Sequence, residues 1–188
     1  LYRMTYSPEM QNKSIPLPHY IYNTSSLNNL IERVYPMVVL SDALNSSQRL
    51  YKSAILTTRN DTADELNGKI LDSMPGTNLN LLSADEANTS LSGGVDELFQ
   101  ISPEYLQTLN PNNFPPARLS LKVGCIVMLL RNINAEAGLC NGTRLMIKEV
   151  GSYVLKVAVL KEINSEVEQI EMIPRITLDT MEDDYPFI

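Results

Sequence analysis

The apolar positions of the chain change rhythm about two thirds of the way along it. Near the start, Leu27, Leu30, Ile31 and Val34 recur at i, i+3, i+4 and i+7, the stripe of an amphipathic helix. Ser25-Ser26 offers its N-cap and Pro36 stops it. Ala54-Ile55-Leu56-Thr57 reads as a strand, and Asp61 can cap a following helix whose Leu66, Ile70 and Leu71 share a face until Pro75-Gly76. Residues 79–83 read as a further short strand, and Ser102-Pro103 fits the N-cap and N1 positions of another helix. Residues 119–123 alternate, and after Gly124 six consecutive apolar residues, 125–130, predict a strand covered on both faces in the middle of a sheet. Beyond the turn dipeptide Asn141-Gly142, four short β-rich runs follow at 143–150, 153–160, 167–173 and 175–178, with Gly151-Ser152 between the first two. No crossover helix fits between them. They are therefore expected to pair antiparallel as a small barrel.

Composition places the chain among ordinary globular proteins, since 44% of its 188 residues are hydrophobic and 20% charged. One or two domains are expected. No apolar run reaches the ~18 residues of a membrane span and no signal-peptide core precedes the helix, which predicts a soluble chain without a membrane partner. The first residue is not Met and no terminal signature closes the chain, so an excerpt of a longer protein is expected. The net charge of -7 argues against nonspecific coating of nucleic acid by the whole surface. Its distribution changes that picture: residues 1–60 and 116–148 are net positive, and the acid is concentrated in 61–115 and 161–188.

Two cysteines, Cys125 and Cys140, with the single His19, make neither a disulfide framework nor a tetrahedral zinc site. The acidic groups Asp85-Glu86, Asp96-Glu97 and Glu182-Asp183-Asp184 read as solvated loop charges, and no nucleophile and base pair is visible. No catalytic, cofactor-binding or metal-ligating residue is therefore assigned.

What remains is an echo. Leu56-Thr57-Thr58-Arg59-Asn60 and Leu129-Leu130-Arg131-Asn132 each finish an apolar run with Arg-Asn. Ligands of open α/β sheets bind beyond the carboxyl ends of strands, where Arg, Asn and Thr would offer a guanidinium fork, amide groups and hydroxyls to one anion. Such groups read a nucleic-acid backbone rather than its bases. Plain surface turns explain the same spacing. Gly138-Leu139-Cys140-Asn141-Gly142-Thr143-Arg144 adds hydroxyl, amide and guanidinium donors beside a glycine that tolerates positive φ, or is simply a hairpin turn. A Gly-x-x-x-x-Gly-Lys-Ser/Thr loop is absent, so the chain by itself lacks the usual triphosphate cradle.

Leu119-Ser120-Leu121-Lys122-Val123-Gly124-Cys125-Ile126-Val127-Met128-Leu129-Leu130-Arg131-Asn132 followed by Gly138-Leu139-Cys140-Asn141-Gly142-Thr143-Arg144-Leu145 closely resembles the PIF (petite integration frequency) family of DNA helicases, most nearly the branch carried by Helitron-type transposons. Supporting matches run in order from Leu30-Ile31-Glu32-Arg33-Val34-Tyr35-Pro36 through Ala54-Ile55-Leu56-Thr57-Thr58-Arg59-Asn60 to Ile173-Pro174-Arg175-Ile176. Ile126 stands where relatives often carry proline.

The resemblance implies an α/β fold: part of a RecA-like (P-loop NTPase-like) second lobe, 2A, over 25–142, after an irregular lead-in at 1–24. An SH3-like antiparallel β-barrel insertion, 2B, would occupy 143–178, with the return to the lobe beginning at 179–188. It also implies a parent enzyme hydrolysing ATP with Mg2+ to move 5′→3′ along single-stranded DNA, with roles in DNA repair and recombination. The remaining helicase lobe of the parent would supply Walker A and Walker B, leaving this fragment inactive alone and binding no cofactor. By the resemblance Thr57, Thr58, Asn60, Arg131, Asn132, Asn141 and Thr143 would flank the strand's phosphates, and the residue pattern adds Arg59 and Arg144 as candidate donors. The setting would be intracellular, with nuclear, mitochondrial and viral locations equally open. The rival reading, from a different class, is a noncatalytic interaction module whose β-barrel binds a protein partner.

Overall fold

A computed structural model describes residues 18–85, 115–161 and 168–178, together with Ser102, Tyr105 and Thr108. The irregular lead-in before residue 18, the return segment 179–188, and most of the helix expected from Ser102-Pro103 lie outside the described residues; of that helix, Ser102 Oγ accepts from the Tyr105 amide at 3.2 Å. Among the elements that the described residues complete, four helices, α1 (Leu27–Val34), α2 (Met37–Ser41), α3 (Ser47–Tyr51) and α4 (Asn60–Ser73), precede six strands. These are β1 (Leu79–Leu82), β2 (Arg118–Leu121), β3 (Ile126–Met128), β4 (Arg144–Val150), β5 (Val154–Val159) and β6 (Gln169–Pro174).

Helix α1 begins where expected: Ser26 is extended and its side chain accepts from the Asn29 amide. The periodicity of α4 also holds, with Leu66 buried and Ile70 and Leu71 packed against the core. Its cap differs from the expectation. Arg59, not Asp61, is the extended N-cap residue; Asp61 sits inside the first turn, where its carboxylate accepts from the Thr62 amide at 2.6 Å. Helices α2 and α3 have five residues each, too few to leave a periodic stripe.

The run 54–57 is not a strand. It makes no backbone hydrogen bond to another described residue, and its alternation leaves Leu56 92% exposed. A strand needs a neighbour to take its amide and carbonyl groups, and sequence rhythm cannot supply one.

The sheets are antiparallel. β1 pairs with β2 across a long connection, Leu79 opposite Leu121 and Leu82 opposite Arg118. The second sheet has the order β3-β4-β5-β6, so β3, within the apolar run 125–130, is an edge strand rather than the centre of a covered sheet. It takes its partner from beyond the turn: Ile126 faces Met146 and Met128 faces Arg144. β5 and β6 end at Val159 and Pro174, and residues 175–178, expected as another strand, form none. The sheet is open, not the closed barrel expected, because β3 and β6 stand at opposite edges and do not pair. Mixed helix and antiparallel sheet is consistent with the α/β class at its coarsest.

The core gathers where helices and sheet meet. Leu145, Met146, Ile147 and Val157 are essentially inaccessible, and Val39, Leu40, Ala43 and Leu50 of the helical segment join the same cluster. Each such side chain contributes about 1.5–3 kcal/mol through burial. Gly124, at φ 88°, allows a close approach of the two halves: a Cβ there would lie 3.1 Å from that of Ala43.

Candidate functional site

Between β3 and β4 the chain makes a tightly tied excursion over residues 129–143. Its base is closed by the Leu129 amide donating to the Thr143 carbonyl (2.9 Å) and the Gly142 amide donating to the Leu129 carbonyl (2.8 Å). Further out, Asn134 and Leu139 form a bridge, and Asn134 Oδ1 accepts from the Glu136 and Ala137 amides. Leu139 is buried and pins the excursion to the core, and Gln169 of β6 donates to the Ala137 carbonyl at 2.8 Å. So many internal bonds make this a rigid projection rather than a loose loop.

Four of the nine expected site residues meet here with Arg131 beside them, yet they play different parts. Asn132 Oδ1 accepts from the Asn141 amide at 2.8 Å, which fixes its carboxamide and turns the NH2 end away from that bond. The Asn141-Gly142 turn forms as the dipeptide predicts, with Gly142 at φ 88° and the Thr143 amide donating to the Cys140 carbonyl. The Thr143 hydroxyl donates to the Gly138 carbonyl (2.9 Å) and accepts from the Cys140 amide (3.2 Å), so its single proton is spent inside the turn. Arg144 points into the protein, where its guanidinium donates to the carbonyls of Leu50, Tyr51 and Ser53 at the end of α3.

The second group lies at the start of α4. Thr57 Oγ1 donates to the Arg59 carbonyl at 2.8 Å, and the Arg59 guanidinium pairs two-pronged with the Asp61 carboxylate, its Nε 3.0 Å from Oδ1. The Arg59 hydrogen bond, followed by that of the Thr62 amide, holds the Asp61 carboxyl below its usual range. Thr58 and Asn60 are exposed, and their side chains, like that of Asn141, make no hydrogen bond to another described residue. Arg131 is exposed as well.

One connection between the two groups runs through Arg144. The carbonyls it holds lie immediately ahead of the 54–57 segment that leads to Thr57-Thr58-Arg59-Asn60. Beside it opens a cleft of about 400 Å³ lined by Tyr51, Gly138, Gly142, Thr143, Arg144, Val159, Leu160 and Lys161. Tyr51 and Lys161 carry no signal in the sequence pattern; one sits in a five-residue helix and the other just past the end of β5. Lys161 makes no ion pair with another described residue, so the cleft has a cation at its exposed side.

Among the described residues, the N-terminus of α4 has the Asp61 carboxylate in its own first turn, where it would repel another anion.

Residues 104–150 match the family model described as DNA helicase Pif1, 2B domain. The matched stretch contains β2, β3, β4 and the whole excursion, and it begins ahead of residue 143, as does the four-stranded sheet. The match supports a Pif1-like DNA helicase segment. No curated protein matches the chain.

Proposed function

We propose that this chain serves a Pif1-like DNA helicase by gripping the backbone of single-stranded DNA with donors carried on the 129–143 excursion and on the turn into α4. The observation that carries the reading is the coincidence of the family match over 104–150 with the rigid, donor-bearing excursion inside it. Amide and guanidinium donors suit a protein that must slide along phosphates without reading sequence. Asn60, Arg131, Asn132 and Asn141 are the contacts of this reading, with Thr58 beside them. Thr57 and Thr143 shape the turns, and Arg59 is held by Asp61.

In this reading the helical segment belongs to a RecA-like lobe and the four-stranded sheet to an SH3-like insertion. ATP and Mg2+ would be bound by other parts of the helicase, and lobe closure against a partner lobe would drive 5′→3′ movement. No step of hydrolysis is assigned to residues of this chain.

Fluorescence anisotropy with a labelled oligothymidylate tests the grip. The double variant Asn60→Ala, Arg131→Ala should lose about tenfold in affinity, with a shallower salt dependence because a phosphate contact is gone. Unaltered affinity would sink the proposed contacts. A second reading, a noncatalytic module that binds protein, draws on Ile170 and Met172, which are 41% and 57% exposed on the edge strand β6. Failure to bind oligothymidylate at any salt concentration would favour it.

A further inference from the structure

Arg144 was expected among the DNA contacts, but its side chain is committed elsewhere. Its Nη1 donates to the Tyr51 carbonyl, and its Nη2 to those of Leu50 and Ser53, each at 3.1 Å. The guanidinium also lies 5.9 Å from the centre of the Tyr51 ring. The Ser53 carbonyl receives a second donor, the Tyr35 hydroxyl, at 3.3 Å. One half-buried cation thus ties β4 to the end of α3 and, through Ser53, to the residue that closes α1.

We propose that Arg144 is a positioning residue that sets the spacing between the two donor-bearing turns without touching DNA itself. The argument is mechanical. The 54–57 segment has no ladder to hold it, so where Thr58 and Asn60 stand depends on how its leading end is anchored, and Ser53 is that end. At its other end Arg144 follows Thr143 directly and pairs opposite Met128, so its backbone belongs to the base of the excursion. A helix leaves its last carbonyls without internal partners and favours a cation beside them. The planar fork aims three of its five donors at the carbonyls of Leu50, Tyr51 and Ser53 in a fixed geometry, which a lysine ammonium, with its donors on one nitrogen at the end of a flexible stem, does not reproduce.

The inference rests on the single-strand reading above, and two readouts separate the failure of one from the failure of the other. Hydrogen exchange reports the anchor alone: Arg144→Met should speed exchange at the amides of Leu50, Lys52 and Ser53, which close the end of α3, while leaving β4 and β5 protected. Oligothymidylate affinity, measured over a series of salt concentrations, reports the consequence. Arg144→Met should weaken binding about tenfold, the size of a coupling change transmitted through an element that touches no ligand. The slope of log affinity against log salt should stay that of the unaltered protein. Loss of a direct phosphate contact would instead make the slope shallower by about 0.7. Arg144→Lys, which keeps the charge and loses the fork, should remain weak. Tyr35→Phe, a milder change expected to fold in any case, should give a smaller loss at the same slope. Unchanged exchange at Leu50, Lys52 and Ser53, a shallower slope in Arg144→Met, or full recovery in Arg144→Lys would each overturn the proposal. If the unaltered protein bound no oligothymidylate, the DNA reading and the gripping half of this inference would fall together, and exchange alone would decide the anchor.

Discussion

In β4 and β5, Met146, Ile147 and Val157 are withdrawn from solvent completely, whereas in the helical segment Val38 is 80% and Leu56 92% exposed. Each strand from β3 to β6 finds its neighbour within a few tens of residues, so the sheet closes its own ladder, while its core is shared with Val39, Leu40, Ala43 and Leu50. Residues 27–74 contain two five-residue helices too short to bury a full face and an extended run with no strand beside it. What gives that region its place is the sheet side of the molecule, through two cations. Arg144 caps α3, and buried Lys122 donates to the Met74 carbonyl at 2.7 Å, and more weakly to that of Asp72, at the end of α4. A sheet that completes its own ladder thus holds in place a segment that has none.

The comparison breaks most directly in the core. Ile147→Ala should cost about 2–5 kcal/mol in a urea melt, because a fully enclosed side chain leaves a cavity. Val38→Ala and Leu56→Ala should each stay within about 0.5 kcal/mol, as surface changes do. Equal losses at Ile147 and Leu56 would erase the distinction between the regions. Next in size is the docking of α4. Lys122→Met keeps the stem and removes the ammonium, leaving the Met74 carbonyl unanswered in a buried place, and should cost about 2 kcal/mol. Exchange should then quicken at the C-terminal turn of α4 and not in β5.

The smallest effect is in pH. Burial raises the Tyr35 hydroxyl above its ordinary 10.0, against a smaller opposing pull from Arg144. The folded state therefore favours the protonated phenol. That contribution is fully present below about pH 10 and is lost as the pH rises through the folded-state titration. Tyr35→Phe should flatten this alkaline limb in melts taken across the series. The limb left in the variant should be that of Cys125, whose buried thiol is likewise raised, in its case from 9.0. A limb unchanged in Tyr35→Phe would show that the hydroxyl bonded to Ser53 does not report the joint between the regions.

Much of the local structure was legible in residue order. The stripe of α1, its Ser26 cap, the face of α4, the Asn141-Gly142 turn and the strands β4 and β5 follow from periodicity and turn chemistry that act within a few residues. Asn132 and Asn141 meet within the excursion, a contact that the echo of Arg-Asn did not name. Side-chain commitments were not legible. Arg59 turns to Asp61 two residues on, and Arg144 turns to carbonyls some ninety residues back. Spacing along the chain carries no record of such a partner.

The sequence by itself determined which stretches coil, extend or turn, and where donor-rich turns would fall, because those outcomes depend on neighbours in the chain. Tertiary structure alone decided that 54–57 stays unpaired and that the apolar run at 125–130 becomes an edge strand. It also decided that of three arginines read as phosphate ligands, one holds the molecule together. Pairing, burial and the direction of a long cationic side chain are settled by what lies across the fold, where distance in sequence has no bearing on distance in space.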